Sequence, residues 1–436
     1  AALAATEAHA QMNEDCDASQ YELLPNGHPA WTEGVEQLTW YNAGDTRYDP
    51  AIMEGARVFE LTYGIHVEVV GIPEADFVSK AARGLATGDD TYDNFDMLPA
   101  VPMPTWVERG WVAPVDCAVP AWLASQWPQG IWEAGEYEGK HYFVPHASQP
   151  LVFLWNKKMF EEAGLDPNSP PQGWDQLVDY AKKLTKDKNG DGNIDQWGFV
   201  FPLGKLDRTP ILGYSFFLGM NGTRLWNEDG SAAFDSPKGV EAMQFIVDLV
   251  QKHKVSPESV INYATTEVSD IFRSGGAAMV MHFVGHPVIA DIESLGEETI
   301  GSAPPPPATP DTTPQYPLGF IGLAQYVNAN SQHPIAAAHL AAFMGTYQQS
   351  WREALFESNV GANLEIWDSP YLTKRYPIGD AVRGILEQGY MPTHEGLLVA
   401  MTVFEQGLDS AITGERTPQE AVDFIVATLQ DRDVLE

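Results

Sequence analysis

Three groups of residues have the types and spacing to do chemistry. Residues 271–286 read IFRSGGAAMVMHFVGH: a glycine pair and an apolar run switch abruptly to His282, Phe283 and His286. A strand buried on both faces reads as a continuous apolar run, and in open α/β sheets ligands sit beyond the carboxyl ends of the strands. These three side chains are therefore expected to contact a ligand, the competing reading being histidines hydrogen-bonded in a loop. Replacing Phe283 by alanine is expected to weaken binding and leave the fold stable. A second polar stretch, His146-Ala147-Ser148-Gln149, separates two strand-like runs in KHYFVPHASQPLVFLWN, and His146, Ser148 and Gln149 are expected to face the same cleft. The third group stands at the strand ends of the first part of the chain. Tyr41, Asn42 and Asp45 follow the first strand, where Asp45 could equally cap the next helix, and Pro99 closes the third strand, where a structural role competes.

A different chemistry is suggested by Asp187-Lys188-Asn189-Gly190-Asp191-Gly192-Asn193-Ile194-Asp195. Asp187, Asn189, Asp191, Asn193 and Asp195 supply oxygen atoms as calcium loops do, with glycine at the sixth position and an apolar residue at the eighth. Gly198 occupies the twelfth position, where a bidentate glutamate is usual, so a metal-free turn is the rival reading. The expectation is no required cofactor and a structural calcium at this turn.

Positioning these residues requires alternating strands and helices. Leu38-Thr39-Trp40-Tyr41-Asn42 reads as a strand, Pro50 to Thr62 has helical spacing, and Ile65 to Val70 alternates as a second strand. That βαβ order implies parallel pairing with a right-handed crossover. A helix over 76–87 and a strand over 95–98 repeat the unit, and a first domain crossing is expected at Val112 to Asp116. SAPPPPATP is a stiff connector placed as a second crossing. Helices over 397–412 and 417–429 end the pattern, the latter opened by Thr417-Pro418 with Glu420 nearby.

A chain of 436 residues exceeds what one core usually serves. Its 25 Lys and Arg against 60 Asp and Glu give a net charge of −35, a field that repels nucleic acid and anionic lipid. No stretch approaches the ~20 apolar residues needed to span a bilayer. The opening AALAATEAHAQ, with Ala8-His9-Ala10, reads as the remnant of an export signal. The two cysteines, Cys16 and Cys117, suit an exported chain with one disulfide or none.

Together, TWYNAGD, NFDMLP, KHYFVPHASQPLVFLWNKKMFEEAGLDP, DKNGDGNIDQWGF, FRSGGAAMVM, GFIGLAQYVNANSQHPIAAAHLAAFM and MPTHEGLLVAMTVFEQGLDSAITGERTPQEAVDFI resemble an extracellular solute-binding protein of the maltose-binding class, the receptor component of ABC sugar importers. The resemblance implies an α/β fold of two lobes of the type II periplasmic-binding-protein kind, each a mostly parallel sheet flanked by helices. The lobes are joined by a hinge and close over a ligand without chemistry on it. It places 1–35 as the export-signal remnant and N-terminal lead, 36–115 plus 312–372 as the N-terminal lobe, and 116–311 plus 373–436 as the C-terminal lobe. It also adds Arg208 and Tyr214 as contacts from the second lobe, with an ion pair to Asp207 the competing role for Arg208, and His394 and Glu395 from the segment near the hinge. Maltose binders of this class carry a tryptophan where His282 and Phe283 stand here, and an aromatic near Met401, so the maltodextrin platform is not kept.

The expected function is that of a periplasmic, soluble, monomeric receptor. It would capture a neutral oligosaccharide, disaccharide or polyol and deliver it to a membrane permease. Sugar rings stack on aromatic faces while their hydroxyls need dense hydrogen bonding, and the chain holds 13 Trp and 16 Tyr. Alternatives are an anionic or amino-containing solute, or a secreted glycoside hydrolase with two carboxylates across a cleft. No G-x-S-x-G, H-E-x-x-H, Walker or C-x-x-C motif is present.

Overall fold

The computed structural model describes residues 16–43, 50–97, 103–148, 150–204, 209–284, 286–318, 324–357, 360–376, 378–394 and 396–435. Its contacts divide the chain into two compact units, Ala1–Ser148 with Ile321–Ile366, and Gln149–Phe320 with Trp367–Glu436. The chain thus passes between units three times, but not where the sequence suggested. The first passage follows Ser148 instead of Val115, because Phe143–Pro145 hydrogen-bonds to Ala324–Asn328 in the sheet of the first unit. The second follows the proline-rich connector instead of lying in it. Ala308 and Gln315 donate backbone N–H groups to Met220 and Gly219, and Leu318 to Tyr390, keeping residues 303–318 in the second unit. The third falls at 366/367: Asn363 and Leu364 bond Gln126, while Asp368 pairs with Arg383.

In the first unit the strand order is His66–Ile72, Gln37–Ala43, Asn94–Met97, Ala324–Asn328 and Val112–Ala113, with Phe143–Pro145 also paired to Ala324–Asn328. The first three strands are parallel, and Ala324–Asn328 runs antiparallel to all its neighbours. In the second unit the order is Trp197–Val200, Ala277–Phe283, Leu151–Asn156 and Ile300–Ala303, with only the first pair parallel. Both sheets are therefore mixed, where mostly parallel sheets were expected. The strands that close each sheet are not reached through βαβ crossovers, so nothing compels their direction.

The local causes are visible in the sequence. Along Gln37–Ala43, Leu38, Trp40 and Asn42 are buried while the residues between them are more open, as a period of two requires. Ala277–Phe283 and Leu151–Asn156 are buried at every position, as central strands should be. Gly301 lies opposite Trp155, and a Cβ there would fall 2.0 Å from the indole. The alanines of Pro334–Met344 let that helix lie close on the sheet, and the Asn94 amide donates to Ala337 O at 2.9 Å. Thr417 and Glu420 form a capping box at the start of the last helix, Pro418–Asp431.

Residues 16–35, expected as a separate lead, pack on the first unit. Cys16 is disulfide-bonded to Cys117, and Trp31 stacks on His339 at 4.2 Å. The expected export-signal remnant, AALAATEAHAQ, lies outside the described residues. Among the described residues no helix is long and apolar enough to cross a membrane.

Candidate functional site

In the first unit, Gln37–Ala43 and Asn94–Met97 run parallel, so their carboxyl ends share one edge of the sheet, the kind of edge at which open α/β sheets take ligands. A buried polar cluster underlies it. His146 is enclosed on all sides, with Nε2 3.4 Å from Asp96 Oδ1 and Nδ1 3.6 Å from Glu353 Oε1. The indole of Trp40 meets the imidazole edge-on at 6.3 Å. Burial alone would drive His146 toward its neutral form, but the two carboxylates outweigh it and raise its pKa to about 9. Burial pushes the Asp96 carboxyl upward too, against the pull of the imidazolium. Breaking such a buried charge pair by removing one partner typically costs about 3–5 kcal/mol, because the other charge is left uncompensated.

Around this cluster Asn42 Nδ2, Ser148 Oγ and both amide atoms of Gln325 are buried without a hydrogen-bond partner among the described residues. Each such group costs about 1–3 kcal/mol if left unpaired, so this edge is suited to a guest rich in hydroxyls. Tyr41 is only partly buried and stacks on Tyr92 at 4.3 Å, with the Lys80 ammonium 4.9 Å above its ring. The structure thus gathers Trp40, Asn42, His146 and Ser148 in one region. Asp45, Pro99 and Gln149 lie outside the described residues.

In the second unit His282 stands inside the buried strand, not beyond it. Its Nδ1 is 2.9 Å from Phe283 O and its Nε2 4.0 Å from Asp291 Oδ2. Asp291 accepts a hydrogen bond from the Ser269 hydroxyl and faces Arg273 Nε at 3.4 Å. Burial lowers His282 to about 4 and raises Asp291 to about 7. Phe283 is 2% exposed and meets Phe216 edge-on at 6.5 Å. Truncating so enclosed a ring costs about 3–5 kcal/mol, so Phe283→Ala weakens the fold itself, contrary to the expectation from sequence. His286 opens the helix His286–Leu295, and its side chain lies outside the described set.

Tyr214 is fully buried on the helix Thr209–Met220, where its hydroxyl donates to Gly239 O at 2.9 Å and its ring leans on Phe404 at 5.8 Å. It joins three helices in the core. His394 accepts from the Gly396 N–H at Nδ1, contacts Gly230 O through Nε2 at 3.1 Å, and lies 4.4 Å from the Trp226 ring, stapling two loops together. Arg208 and Glu395 lie outside the described residues.

At the acidic turn the oxygens serve the backbone. Asp187 accepts from the N–H groups of Gly190 and Gly192, Asn189 from Asp191, Asp191 from Asn193, and Asp195 from Lys188 and Asn189. These bonds hold the Asp187 and Asp191 carboxyls below the usual range. Among the described residues no three acidic, histidine or cysteine groups converge as a cation set.

Sequence reasoning missed Asp96, Glu353 and Gln325 in the first unit and Ser269, Arg273 and Asp291 in the second. Asp96 carried a signal, a lone carboxylate inside the apolar strand NFDM. Glu353 carried none, because SWREALFE reads as an ordinary amphipathic helix.

The profile of the family described as bacterial extracellular solute-binding protein matches residues 42–350. A Sinorhizobium fredii protein named as a probable amino-acid ABC transporter periplasmic-binding protein, y4oP, is 25% identical over 84% of this chain and 82% of its own length. A Thermotoga lettingae ABC transporter solute-binding protein bound with alpha-D-tagatose has a TM-score of 0.74 at 24% identity, covering 91% of this chain and 99% of that one. The maltose-bound MalE3 of T. maritima has a TM-score of 0.73 at 21% identity, covering 91% and 99%. These likenesses show the two-lobe periplasmic-binding-protein fold.

Proposed function

The chain belongs to the bacterial extracellular solute-binding protein family, and from that premise we propose that it captures a neutral sugar or polyol in the periplasm for delivery to the membrane permease of an ABC importer. The family binds its solutes without transforming them, and the chain is a receptor, not an enzyme. The observation that carries the sugar reading is the end-to-end likeness to receptors bound to tagatose and maltose. The amide and hydroxyl groups of Asn42, Ser148 and Gln325, which have no hydrogen-bond partner among the described residues, support it, since they suit alternating hydroxyl donors and acceptors. So does the net charge of −35, which disfavours an anionic guest. The solute-loaded form is what the permease reads. We take the receptor to be monomeric and without affinity for nucleic acid. The name of the S. fredii relative favours a second reading, an amino-containing solute.

A thermal-shift screen of the full chain against monosaccharides, disaccharides, polyols and amino acids separates the two. At least one neutral sugar or polyol should raise the melting temperature saturably. A response confined to amino acids would overturn the proposal.

A further inference from the structure

The buried cluster of the first unit joins segments far apart in sequence. Asp96 stands one residue before the end of its strand. His146 lies between Phe143–Pro145 and Ala147–Ser148, directly before the passage into the second unit at 148/149. Glu353 opens the turn Glu353–Glu357, which contacts the helix Pro50–Tyr63. Gln349, 3.4 Å from Glu353, donates to Ala51 O at 3.0 Å and ties in the start of that helix. A single imidazole therefore touches the ends of segments that lead to the carboxyl edge of the sheet and to the interunit passage.

We propose that protonated His146 is a positioning residue for solute capture: held between Asp96 and Glu353, it fixes the His146–Ser148 segment and the turn Glu353–Glu357 as one rigid floor. Its ring nitrogens lie 3.4 and 3.6 Å from these two carboxylates, and its ring meets Trp40 edge-on at 6.3 Å. Among the described residues, the charged groups paired with it are Asp96 from the strand Asn94–Met97 and Glu353 from the turn. Arg352, on the helix Tyr347–Arg352, donates to the Gln349 amide oxygen at 3.3 Å. Trp40 and Gln325, from the flanking strands, are neutral. The carboxylates keep His146 charged to about pH 9, so the floor is assembled at neutral pH and released in alkali. The inference rests on the receptor reading only for its consequence; the pinning stands on geometry within one unit.

The test uses the ligand-free full chain, so its failure is separable from failure of the sugar reading. Amide hydrogen exchange over residues 143–148 and 350–357, corrected for intrinsic rates, is followed from pH 7 to pH 10.5 in the wild type, His146→Gln and Glu353→Gln. In the wild type, exchange in both segments should accelerate about ten-fold through a midpoint near pH 9. His146→Gln should exchange fast already at pH 7 and show no step. Glu353→Gln, near-isosteric and not dependent on His146→Gln folding, should move the step down by a unit or more. A wild type whose protection is flat to pH 10.5, or a Glu353→Gln step unmoved from the wild type, overturns the proposal. D-tagatose and maltose titrations then read the consequence: affinity for whichever binds should fall in step with exchange, and affinity unchanged across the wild-type step overturns the positioning role.

Discussion

At the scale of residues, the two buried histidines behave oppositely because their partners differ. His146 faces two carboxylates within 3.6 Å, whereas His282 has one carboxylate at 4.0 Å and is lowered by burial. Asp291 is raised to about 7. A carboxyl raised in the folded state contributes stability that is fully present below its unfolded value near 4 and is lost as pH rises through about 7. Asp291→Asn, which keeps the shape and removes the charge, should therefore raise the melting temperature at pH 8 and leave it nearly unchanged at pH 4.5; a drop at pH 8 would show that the carboxylate is instead needed by Arg273. His282 and Phe283 were expected just beyond the strand because the apolar run breaks at His282, whereas the strand runs through Phe283. Asp291 and Ser269 were not legible in the sequence, because each sits on a helix whose inward face is fixed only by packing against that strand.

At the scale of elements, strands and helices were read from apolar spacing because burial imposes that spacing. Strand direction and the pairing of Phe143–Pro145 with Ala324–Asn328 were not, because those partners are about 180 residues apart and no local signal encodes them. The disulfide is of the same kind, two cysteines 101 residues apart that meet only in the fold. Closing so long a loop restricts the unfolded chain by roughly 4–5 kcal/mol in the chain-entropy model. A Cys16→Ser, Cys117→Ser double variant should lose about that much in reversible denaturation, and a loss below about 1 kcal/mol would contradict the model here. At the acidic turn the motif's carboxylates accept hydrogen bonds from their own backbone. Its oxygens cap their own backbone, so adding calcium to chelator-treated protein should leave the melting temperature unchanged; a saturable rise would show that the turn reorganises around the ion.

At the scale of the whole molecule, two units were legible from length and from the order of strand and helix patterns, and three passages of the chain followed from the family resemblance. The positions of the passages were not legible. Residues 116–148 carry Trp127 and Trp132, which belong to the core of the first unit, and nothing in their spacing says which core they join. The fold places polar, hydroxyl-compatible groups of the first unit at a sheet edge and leaves the second unit's histidine locked in its strand. The central claim, reversible capture of a neutral polyhydroxylated solute without chemistry, is most directly tested by calorimetric titration of the full chain with the sugar or polyol selected by thermal shift, followed by mass analysis of the recovered solute. One solute per chain, saturable binding and an unchanged mass are predicted. Absence of saturable heat, or a solute returned cleaved or modified, would contradict the account.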